Sequence, residues 1–285
     1  MGRYHPTRCP YGCTSLIAFL TFVLLHFFSE LLPDGIDVGN NGNTTYTYTT
    51  KQWETAKRGV EVLDNYPPLP PECDGNFFKV VEIGTSNFDT HIQKAKSTDT
   101  GLSIDAMKVY IDQLPELKCW RKINRAVVAR REDMPEGGFL ETFFVPHEII
   151  KGFNLPWWLI GCNSVGRPHP TAMKYLYDRK LIHFLQKLSV PVITIEDLLD
   201  SSGACRMGKF KVDVEGMDGE LLVAYSAWVE RHNRTCFADQ VIGEFNVLSE
   251  GRTSFGVANE TLSRAGYKFV GTSGDDSVWS FSGGR

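Results

Sequence analysis

From residue 79 to the carboxyl end, short apolar strands alternate with stretches that carry the pattern of amphipathic helices. Such alternation predicts a mainly parallel sheet with helices on both faces, because each helix returns the chain to the edge where the next strand begins. The last two strands follow each other without a helix, so they predict a hairpin with an antiparallel strand near one edge of the sheet. The pattern therefore predicts an α/β fold with a doubly wound sheet.

The individual elements follow from periodicity and from turn residues. The predicted strands cover Lys79–Gly84, Gly101–Ala106, Lys122–Arg130, Gly138–Val145, Val192–Ile195, Phe210–Val214, Gln240–Phe245, Tyr267–Val270 and Val278–Phe281. The predicted helices cover Thr90–Lys96, Met107–Leu114, Glu220–His232 and Asn259–Ala265. In the third helix, Leu221, Tyr225 and Trp228 recur at i, i+4 and i+7, so this face should be buried.

The first 32 residues differ from the rest in charge and hydropathy. Residues 1–15 carry Arg3 and Arg8 but no acidic side chain, and the apolar run Leu16–Phe28 follows. No small-x-small motif follows this run, which favours an uncleaved signal-anchor over a cleaved signal peptide. We therefore expect residues 16–32 to hold the protein in a membrane, with its domain in the lumen of the secretory pathway, for example the Golgi. The alternative is secretion after signal cleavage.

A polar segment rich in Gly, Asn and Thr follows the apolar run and ends in the stiff sequence YPPLPP. Composition thus divides the chain into a cytosolic tip with a membrane segment, a flexible linker and a folded domain, over residues 1–32, 33–71 and 72–285. Acceptor sequons for N-glycosylation agree weakly with a lumenal domain and occur at Asn43, Asn233 and Asn259.

The charge and the cysteines limit the classes of partner. The net charge of −4 argues against a nucleic-acid-binding protein, which usually carries a basic patch. No CxxC pair and no Cys/His cluster has zinc spacing, so we expect no metal site. Two cysteines precede the apolar run. The five that follow it fit either one or two disulfides plus a free thiol, or buried free thiols, and they are Cys73, Cys119, Cys162, Cys205 and Cys236.

Polar residues follow the first two strands of the predicted sheet. The first strand ends in Glu82 and Gly84, and Asp105 ends the second strand about 20 residues later. Gly84 would let the backbone approach a ligand, and an acid at the position of Asp105 can accept hydrogen bonds from both hydroxyls of a ribose. The alternative interpretation is a turn glycine and a helix-capping acid.

Three charged residues, Lys211, Asp213 and Glu215, alternate along one predicted strand and therefore share one face. Burying all three would be costly, so we expect them at the open end of the strand, where a cleft could use them. The alternative is an internal pair between the lysine and a carboxylate.

A turn-rich segment offers further candidates. Trp157 and Trp158, followed by Gly161–Ser164, predict either a substrate pocket or an anchor in the core. The histidines at 147, 169 and 183 have no spacing that suggests a metal, and we expect them in the core or at the surface.

The order of these motifs resembles that of the FkbM-like S-adenosylmethionine-dependent methyltransferases. The matching phrases extend from Val80 to Trp279 and are VVEIGTSNFDT, SIDA, GCNSVG, VITIEDLL, FKVDVEGMDGELL, VIGEFN and AGYKFVGTSGDDSVW. The resemblance implies the class I methyltransferase sheet, which is Rossmann-like and places the strand of Glu82–Gly84 beside the strand of Asp213 and Glu215. The family loop has a second glycine, whereas none occurs here between Gly84 and Gly101.

The resemblance implies transfer of a methyl group from S-adenosyl-L-methionine to a hydroxyl of a sugar or another small molecule. Asp213 or Glu215 would take the acceptor proton, and Asn163 and Asn246 would contact the acceptor. The residues expected to bind the cofactor are Glu82, Gly84, Thr85, Ser86, Asn87 and Asp105. One alternative is a membrane-tethered, methyltransferase-like binding domain without catalysis. A second, a nicotinamide-dependent oxidoreductase, is disfavoured because GxGxxG is absent.

Overall fold

The structure is a computed structural model that describes residues 36–38, 44–46, 69–86, 90–245, 253–274 and 276–283. The chain forms two compact units, Met1–Thr47 and Tyr48–Arg285. In the first unit, β1 (Ile36–Val38) and β2 (Thr44–Tyr46) form an antiparallel pair. The predicted membrane segment and the sequon at Asn43 lie outside the described residues. Within the described ranges, no helix is long and apolar enough to span a membrane. The boundaries at residues 32 and 71 stay predictions.

The second unit contains the remaining elements. Its strands are β3 (Phe77–Ile83), β4 (Gly101–Asp105), β5 (Trp120–Asn124), β6 (Ala126–Val128), β7 (Phe139–Phe144), β8 (Ser164–Val165), β9 (Gln186–Thr194), β10 (Arg206–Val212), β11 (Phe237–Glu244), β12 (Tyr267–Ser273) and β13 (Asp276–Phe281). Its α-helices are α1 (Lys108–Gln113), α2 (His147–Gly152), α3 (Pro170–Asp178), α4 (Ile195–Ser202), α5 (Asp218–Arg231) and α6 (Phe255–Arg264). Short 3-10 turns cover His91–Lys94, Arg131–Asp133, Trp157–Ile160 and Ile182–Phe184.

Seven strands form the main sheet, in the order β12-β13-β11-β10-β3-β4-β5. Six of them run in one direction, and β13, second from the edge, is antiparallel to both of its neighbours. The predicted α/β fold, with a mostly parallel sheet and an antiparallel strand near one edge, is therefore confirmed at this level. The architecture is compatible with a Rossmann-like fold.

The core of the main sheet confirms the predicted buried face of α5. Leu221, Tyr225 and Trp228 are all at most 2% exposed. The Tyr225 ring stacks on Phe210 of β10 at 4.2 Å, and its hydroxyl lies 2.8 Å from that of Tyr267. This packing fixes β10, and with it the residues that follow β10, because a close-packed core leaves little room for displacement.

The strand predicted over Lys122–Arg130 is wrong, because the chain changes sheets within it. β5 ends at Asn124, whose side-chain amide donates 2.9 Å hydrogen bonds to the carbonyls of Asp105 and Ala106. β6 then pairs with β9 in a second sheet of order β6-β9-β7-β8. The break depends on contacts with residues about 20 positions away, and in the sequence it coincides with the polar pair Asn124 and Arg125.

Other boundaries also differ from the prediction, and β10 and β11 begin four and three residues earlier than predicted. The strand predicted over Val192–Ile195 is the end of the longer β9, and Ile195 begins α4, where the Thr194 hydroxyl accepts a hydrogen bond from the Asp197 amide. The helix predicted over Thr90–Lys96 is only a 3-10 turn. Helix α6 starts four residues earlier than predicted, at Phe255, because Ser254 caps it.

Residues 145–188, called the lobe below, form a region that the sequence left without predicted elements. It contains α2 and α3 together with two 3-10 turns. Its core is separate from that of the main sheet and consists of Val145, Ile150, Leu159, Ala172 and Leu176.

Two disulfides and one free thiol account for the described cysteines. Cys73 is bonded to Cys119, Cys205 is bonded to Cys236, and Cys162 is free. Three of the bonded cysteines directly precede β5, β10 and β11, so both bridges fasten the edge of the sheet where the parallel strands begin. Neither bridge lies at the opposite edge, where these strands end.

Reduction of the two bridges should destabilise the domain. Each bridge constrains the unfolded chain, and the usual contribution of a native disulfide is about 2–4 kcal/mol. Thermal unfolding with and without a reducing agent measures this effect, and a protein with all four bonded cysteines changed to serine is the matched control, since it should not respond to the agent. Equal melting temperatures for the oxidised and reduced proteins would contradict this expectation.

Candidate functional site

The carboxyl ends of β11, β10, β3 and β4 meet at one edge of the main sheet. From β3 the chain continues to β4 and β5 on one side, and it later returns to β10 and β11 on the other side. Strand order therefore reverses between β3 and β10, and ligands of doubly wound sheets bind outside such a switch point. The neighbourhood implied by the family resemblance is observed, with Ile83 opposite Val212 in a parallel pair.

A cavity of about 50 Å³ lies at this edge, between the main sheet and the second sheet. Four of the residues that line it are sequence candidates: Gly84, Asp105, Asn163 and Asp213. The volume suits one end of a small molecule, because pockets that enclose a whole ligand measure about 300–1,000 Å³. The rest of a nucleoside-sized ligand would lie in the mouth of the cleft.

Gly84 brings two backbones together at the switch point. Its φ is +83°, and a Cβ built on it would overlap the carbonyl oxygen of Asp213. The amide of Asp213 in turn donates to the carbonyl of Ile83 at 2.9 Å. A side chain at position 84 would force the ends of β3 and β10 apart.

Asp105 ends β4 at the cavity wall. Its Oδ1 accepts a hydrogen bond of 2.5 Å from the Met107 amide. Burial, reinforced by the charges of Asp213 and Glu82, raises the pKa of Asp105 well above its usual value, against the opposing effect of the Met107 amide. A ligand that donates hydrogen bonds to this carboxyl would favour its charged form, so binding and ionisation of Asp105 are coupled.

Asp213 follows β10 and forms an ion pair at the cavity wall. Its Oδ2 lies 3.1 Å from Nζ of Lys211, which is 6% exposed. Burial acts to lower the pKa of Lys211, but the charges of Asp213, Glu82 and Asp276 raise it above the usual value. Of the three residues predicted to share one face of a strand, only Lys211 lies in β10, which ends at Val212, so that prediction is wrong. The alternative, an internal pair between the lysine and a carboxylate, is observed, and the pair also holds the Asp213 carboxylate beside the cavity.

Glu215 lies in the turn between β10 and α5, with a left-handed φ of 53°. Its Oε2 lies 3.6 Å from Nε2 of His169. Asp218, 1% exposed, holds this turn, because its carboxylate accepts hydrogen bonds from the amides of Gly216 at 3.3 Å and Glu244 at 3.2 Å. Burial and then the charge of Asp213 raise the pKa of Asp218 well above its usual value.

The same turn brings three carboxylates together. One oxygen each of Asp213, Glu215 and Glu244 lies within 4.8 Å of the others. Such oxygens are ligands that Ca²⁺ or Mg²⁺ prefers. Two of the three already face a lysine or histidine nitrogen, and acidic clusters often occur without an ion, so we assign no metal to them. Glu244 was missed by sequence reasoning, although it ends a strand just as Asp105 does.

Glu82 is fully buried and has partners within its own chain. Oε2 accepts hydrogen bonds from the Thr90 hydroxyl at 2.6 Å and the His91 amide at 3.2 Å, and Oε1 lies 3.1 Å from Nδ1 of His91. Glu82 therefore stabilises the segment after β3. It does not line the cavity, so its contact with a cofactor stays a prediction. Thr85 is also buried and donates to the carbonyl of Glu82 at 3.2 Å.

The remaining predicted residues after the strand ends are Ser86, Asn87 and Asn246, and their roles stay predictions. Ser86 is partly buried beside Thr85. Asn87 and Asn246 lie outside the described residues.

Asn163 presents a fixed hydrogen-bond acceptor. Its Nδ2 donates to the Tyr110 hydroxyl and to the carbonyl of Ile160, both at 2.8 Å. A carbonyl only accepts, so the orientation of the amide is determined and Oδ1 points elsewhere. Oδ1 is buried without a partner among the described residues, and so is Oγ1 of Thr142, another residue of the cavity wall.

Two buried oxygens without a protein partner in one cavity wall are costly unless a ligand or a water molecule satisfies them. We expect Thr142→Val to raise the stability of the ligand-free protein by about 1–3 kcal/mol, because it removes a buried hydroxyl without leaving a cavity. Chemical denaturation measures the change. Thr142→Ser, which keeps the hydroxyl, is the matched control and should not stabilise the protein. A Val variant less stable than wild type would show that the hydroxyl has a structural role.

Comparison with models of known protein families gave no match, and comparison with curated protein sequences gave none either. The resemblance to a methyltransferase family therefore rests only on the motifs in this sequence and stays a prediction.

Proposed function

We propose that the chain is a class I methyltransferase that uses S-adenosyl-L-methionine and methylates a hydroxyl of a sugar or other small molecule. The observation that carries the proposal is the meeting of Gly84, Asp105 and Asp213 around one cavity at the switch point of the sheet. These are three of the positions that the motif order assigns to cofactor and catalysis. The antiparallel strand near the sheet edge supports the same assignment.

Features of the cavity suit this cofactor. Gly84 lines the cavity, and its lack of a side chain lets the ends of β3 and β10 meet in the cavity wall. The Asp105 carboxyl can accept hydrogen bonds from ribose hydroxyls. Thr142 Oγ1 and Asn163 Oδ1 have no partner among the described residues. They can accept hydrogen bonds from hydroxyl or amino groups of the cofactor or of the acceptor.

The chemistry divides between cofactor and protein. The bound sulfonium compound supplies an electrophilic methyl group, and the protein supplies alignment, which can account for much of the acceleration. Asp213, held by Lys211, accepts the proton of the acceptor hydroxyl as that oxygen becomes more acidic during attack. Glu215 lies farther along the turn, beside His169, and orients the acceptor or replaces Asp213 as the base.

The two disulfides support a location in an oxidising compartment, because such bonds are rare in cytosolic proteins. We therefore propose a lumenal domain held at a membrane through residues 16–32, or a secreted domain if that segment is cleaved. A glycan acceptor fits either location.

Asp105 provides the test of the cofactor site. Asp105→Ala should weaken the binding of S-adenosylhomocysteine by about 1–3 kcal/mol, because ribose hydroxyls would lose their acceptor. In the wild type, affinity should rise as pH rises toward the elevated pKa of Asp105, because binding favours the ionised carboxyl. The variant should lack this dependence. Calorimetric titration over a pH series measures both effects.

The matched control is Asp112→Ala. Asp112 is an exposed carboxylate of α1 that pairs with Lys108, so its loss should leave affinity and pH dependence unchanged. Wild-type affinity in a folded Asp105→Ala protein would remove Asp105 from the site.

A further inference from the structure

The most exposed aromatic side chains of the described residues all belong to the lobe. Tyr177 is 75% exposed, Trp157 is 73% exposed and Phe153 is 58% exposed. Trp and Tyr are enriched among the side chains that contribute most to binding at protein interfaces. The lobe therefore has the side chains of a binding surface.

The lobe also differs in charge from the rest of the chain. Residues 145–188 contain six Lys or Arg and two Asp or Glu, a net charge of +4, whereas the entire chain carries −4. Among the cations, Lys151, Arg179 and Lys180 are exposed and form no ion pair with any described residue. The Arg179 guanidinium lies over the Tyr175 ring, 4.7 Å from its centre. A positive region on an otherwise negative protein attracts an anionic partner selectively.

One of the exposed rings is linked to the candidate site through a short turn. Trp157 begins the 3-10 turn Trp157–Ile160. The carbonyl of Ile160, at the end of this turn, accepts hydrogen bonds from Tyr110 at 3.0 Å and from Asn163 at 2.8 Å. The turn that carries the exposed tryptophan thus also orients the side chain of Asn163, whose Oδ1 has no partner among the described residues.

We propose that the lobe binds an anionic glycan, a chain of sugars with carboxylate or sulfate groups, and presents one of its hydroxyls to the cavity. This inference rests on the proposed function, for which it names the acceptor class. Flat aromatic rings offer the apolar surface on which the C–H face of a sugar ring packs, and Lys151, Arg179 and Lys180 pair with its acidic groups.

A glycan fits this surface better than an anionic bilayer does. Proteins that lie on a bilayer usually use a long amphipathic helix with a wide apolar face. The lobe has helices of only six and nine residues, and its exposed large apolar side chains are three aromatic rings and Ile182. Exposed rings and unpaired cations together offer both the apolar and the charged contacts that an acidic sugar chain needs.

The test uses the full chain and defined probes. The probes are oligosaccharides of heparin and of polygalacturonate, with dextran oligosaccharides of equal length as the neutral control and phosphatidylserine vesicles as the lipid alternative. We expect binding to at least one acidic oligosaccharide, none to dextran, and a loss of affinity of about tenfold between low and high salt, as expected for exposed charges.

Two pairs of variants locate the surface. Trp157→Ala with Tyr177→Ala, and separately Lys151→Glu with Lys180→Glu, should each weaken glycan binding by about tenfold or more and leave S-adenosylhomocysteine affinity unchanged. The matched controls lie on β12, where Lys268→Glu and Val270→Ala change an exposed cation and a 64% exposed apolar side chain. They should not affect glycan binding.

Three results would overturn the inference: no binding to either acidic oligosaccharide, binding that the lobe variants do not weaken, or binding to the vesicles alone. The proposed function fails separately. If the wild type does not bind S-adenosylhomocysteine but still binds the acidic glycan through the lobe, methyl transfer is wrong and the glycan surface stands.

Discussion

Asp213→Asn is expected to retain S-adenosylhomocysteine affinity and to lose about 10²–10⁴-fold in turnover, the usual contribution of a general base. The carboxylate lines the cavity, and its ion pair with Lys211 fixes its position. The neutral amide keeps the shape of the side chain but cannot take a proton from a hydroxyl. Transfer of an isotope-labelled methyl group from S-adenosylmethionine to an extract of acidic glycans measures turnover.

A structural effect of the same substitution must be separated from the catalytic one. Asp213→Asn leaves the buried Lys211 without its partner, so it should also lower the melting temperature. Turnover is therefore expressed per folded molecule. Near-normal turnover of the folded fraction would contradict the base assignment. In a complex with S-adenosylhomocysteine, a sulfur more than about 8–10 Å from the carboxylates of both Asp213 and Glu215 would also contradict it, since no acceptor hydroxyl could bridge that gap.

Gly84→Ala is expected to destabilise the domain by more than about 3 kcal/mol, because a backbone shift must accompany the new Cβ. Its φ of +83° is unfavourable for alanine, and its Cβ would overlap the carbonyl oxygen of Asp213. Chemical denaturation measures the loss. Gly137→Ala is the matched control, because Gly137 has a φ of +98° and no atom within 4 Å of the added Cβ.

The difference in stability loss between the two variants measures the cost of disturbing the close contact between the ends of β3 and β10. Gly137→Ala should cost only the strain of its backbone conformation, about 1–3 kcal/mol. Equal losses at both positions would show that φ alone matters at Gly84, and that β3 and β10 tolerate separation at the switch point.

The main sheet could be predicted from the sequence because its signals are local. The apolar strand before Gly84 and the helical spacing of Leu221, Tyr225 and Trp228 are visible without any distant contact. The break at Asn124 could not be predicted in this way, because it depends on hydrogen bonds to Asp105 and Ala106. The polar pair Asn124 and Arg125 marks the position in the sequence, but two polar residues do not by themselves indicate a change of sheet.

Residues of the candidate site could be predicted from the sequence where they lie at the ends of strands. Asp105 and Asp213 follow strands and line the cavity, as this rule implies. Thr142 lies inside a strand, and only its missing hydrogen-bond partner distinguishes it. Asp218 stabilises the site through the amide of a residue 26 positions away, a relation that no local pattern contains.

The disulfides show a further limit of the sequence. An odd number of cysteines left both disulfides and free thiols open, because pairing depends on which strands begin side by side. The neighbouring positions of β10 and β11 in the sheet bring Cys205 and Cys236 together.

Calorimetric titration of the wild-type protein shows whether the cavity at the switch point binds S-adenosylmethionine. The ligands are S-adenosylmethionine, S-adenosylhomocysteine and NAD, each measured under the same conditions. We predict saturable binding of the first two at one site per chain, and none of NAD. Binding of NAD alone would identify a nicotinamide-dependent enzyme, and no binding of any of the three would indicate a binding domain without this chemistry; either result would contradict the account.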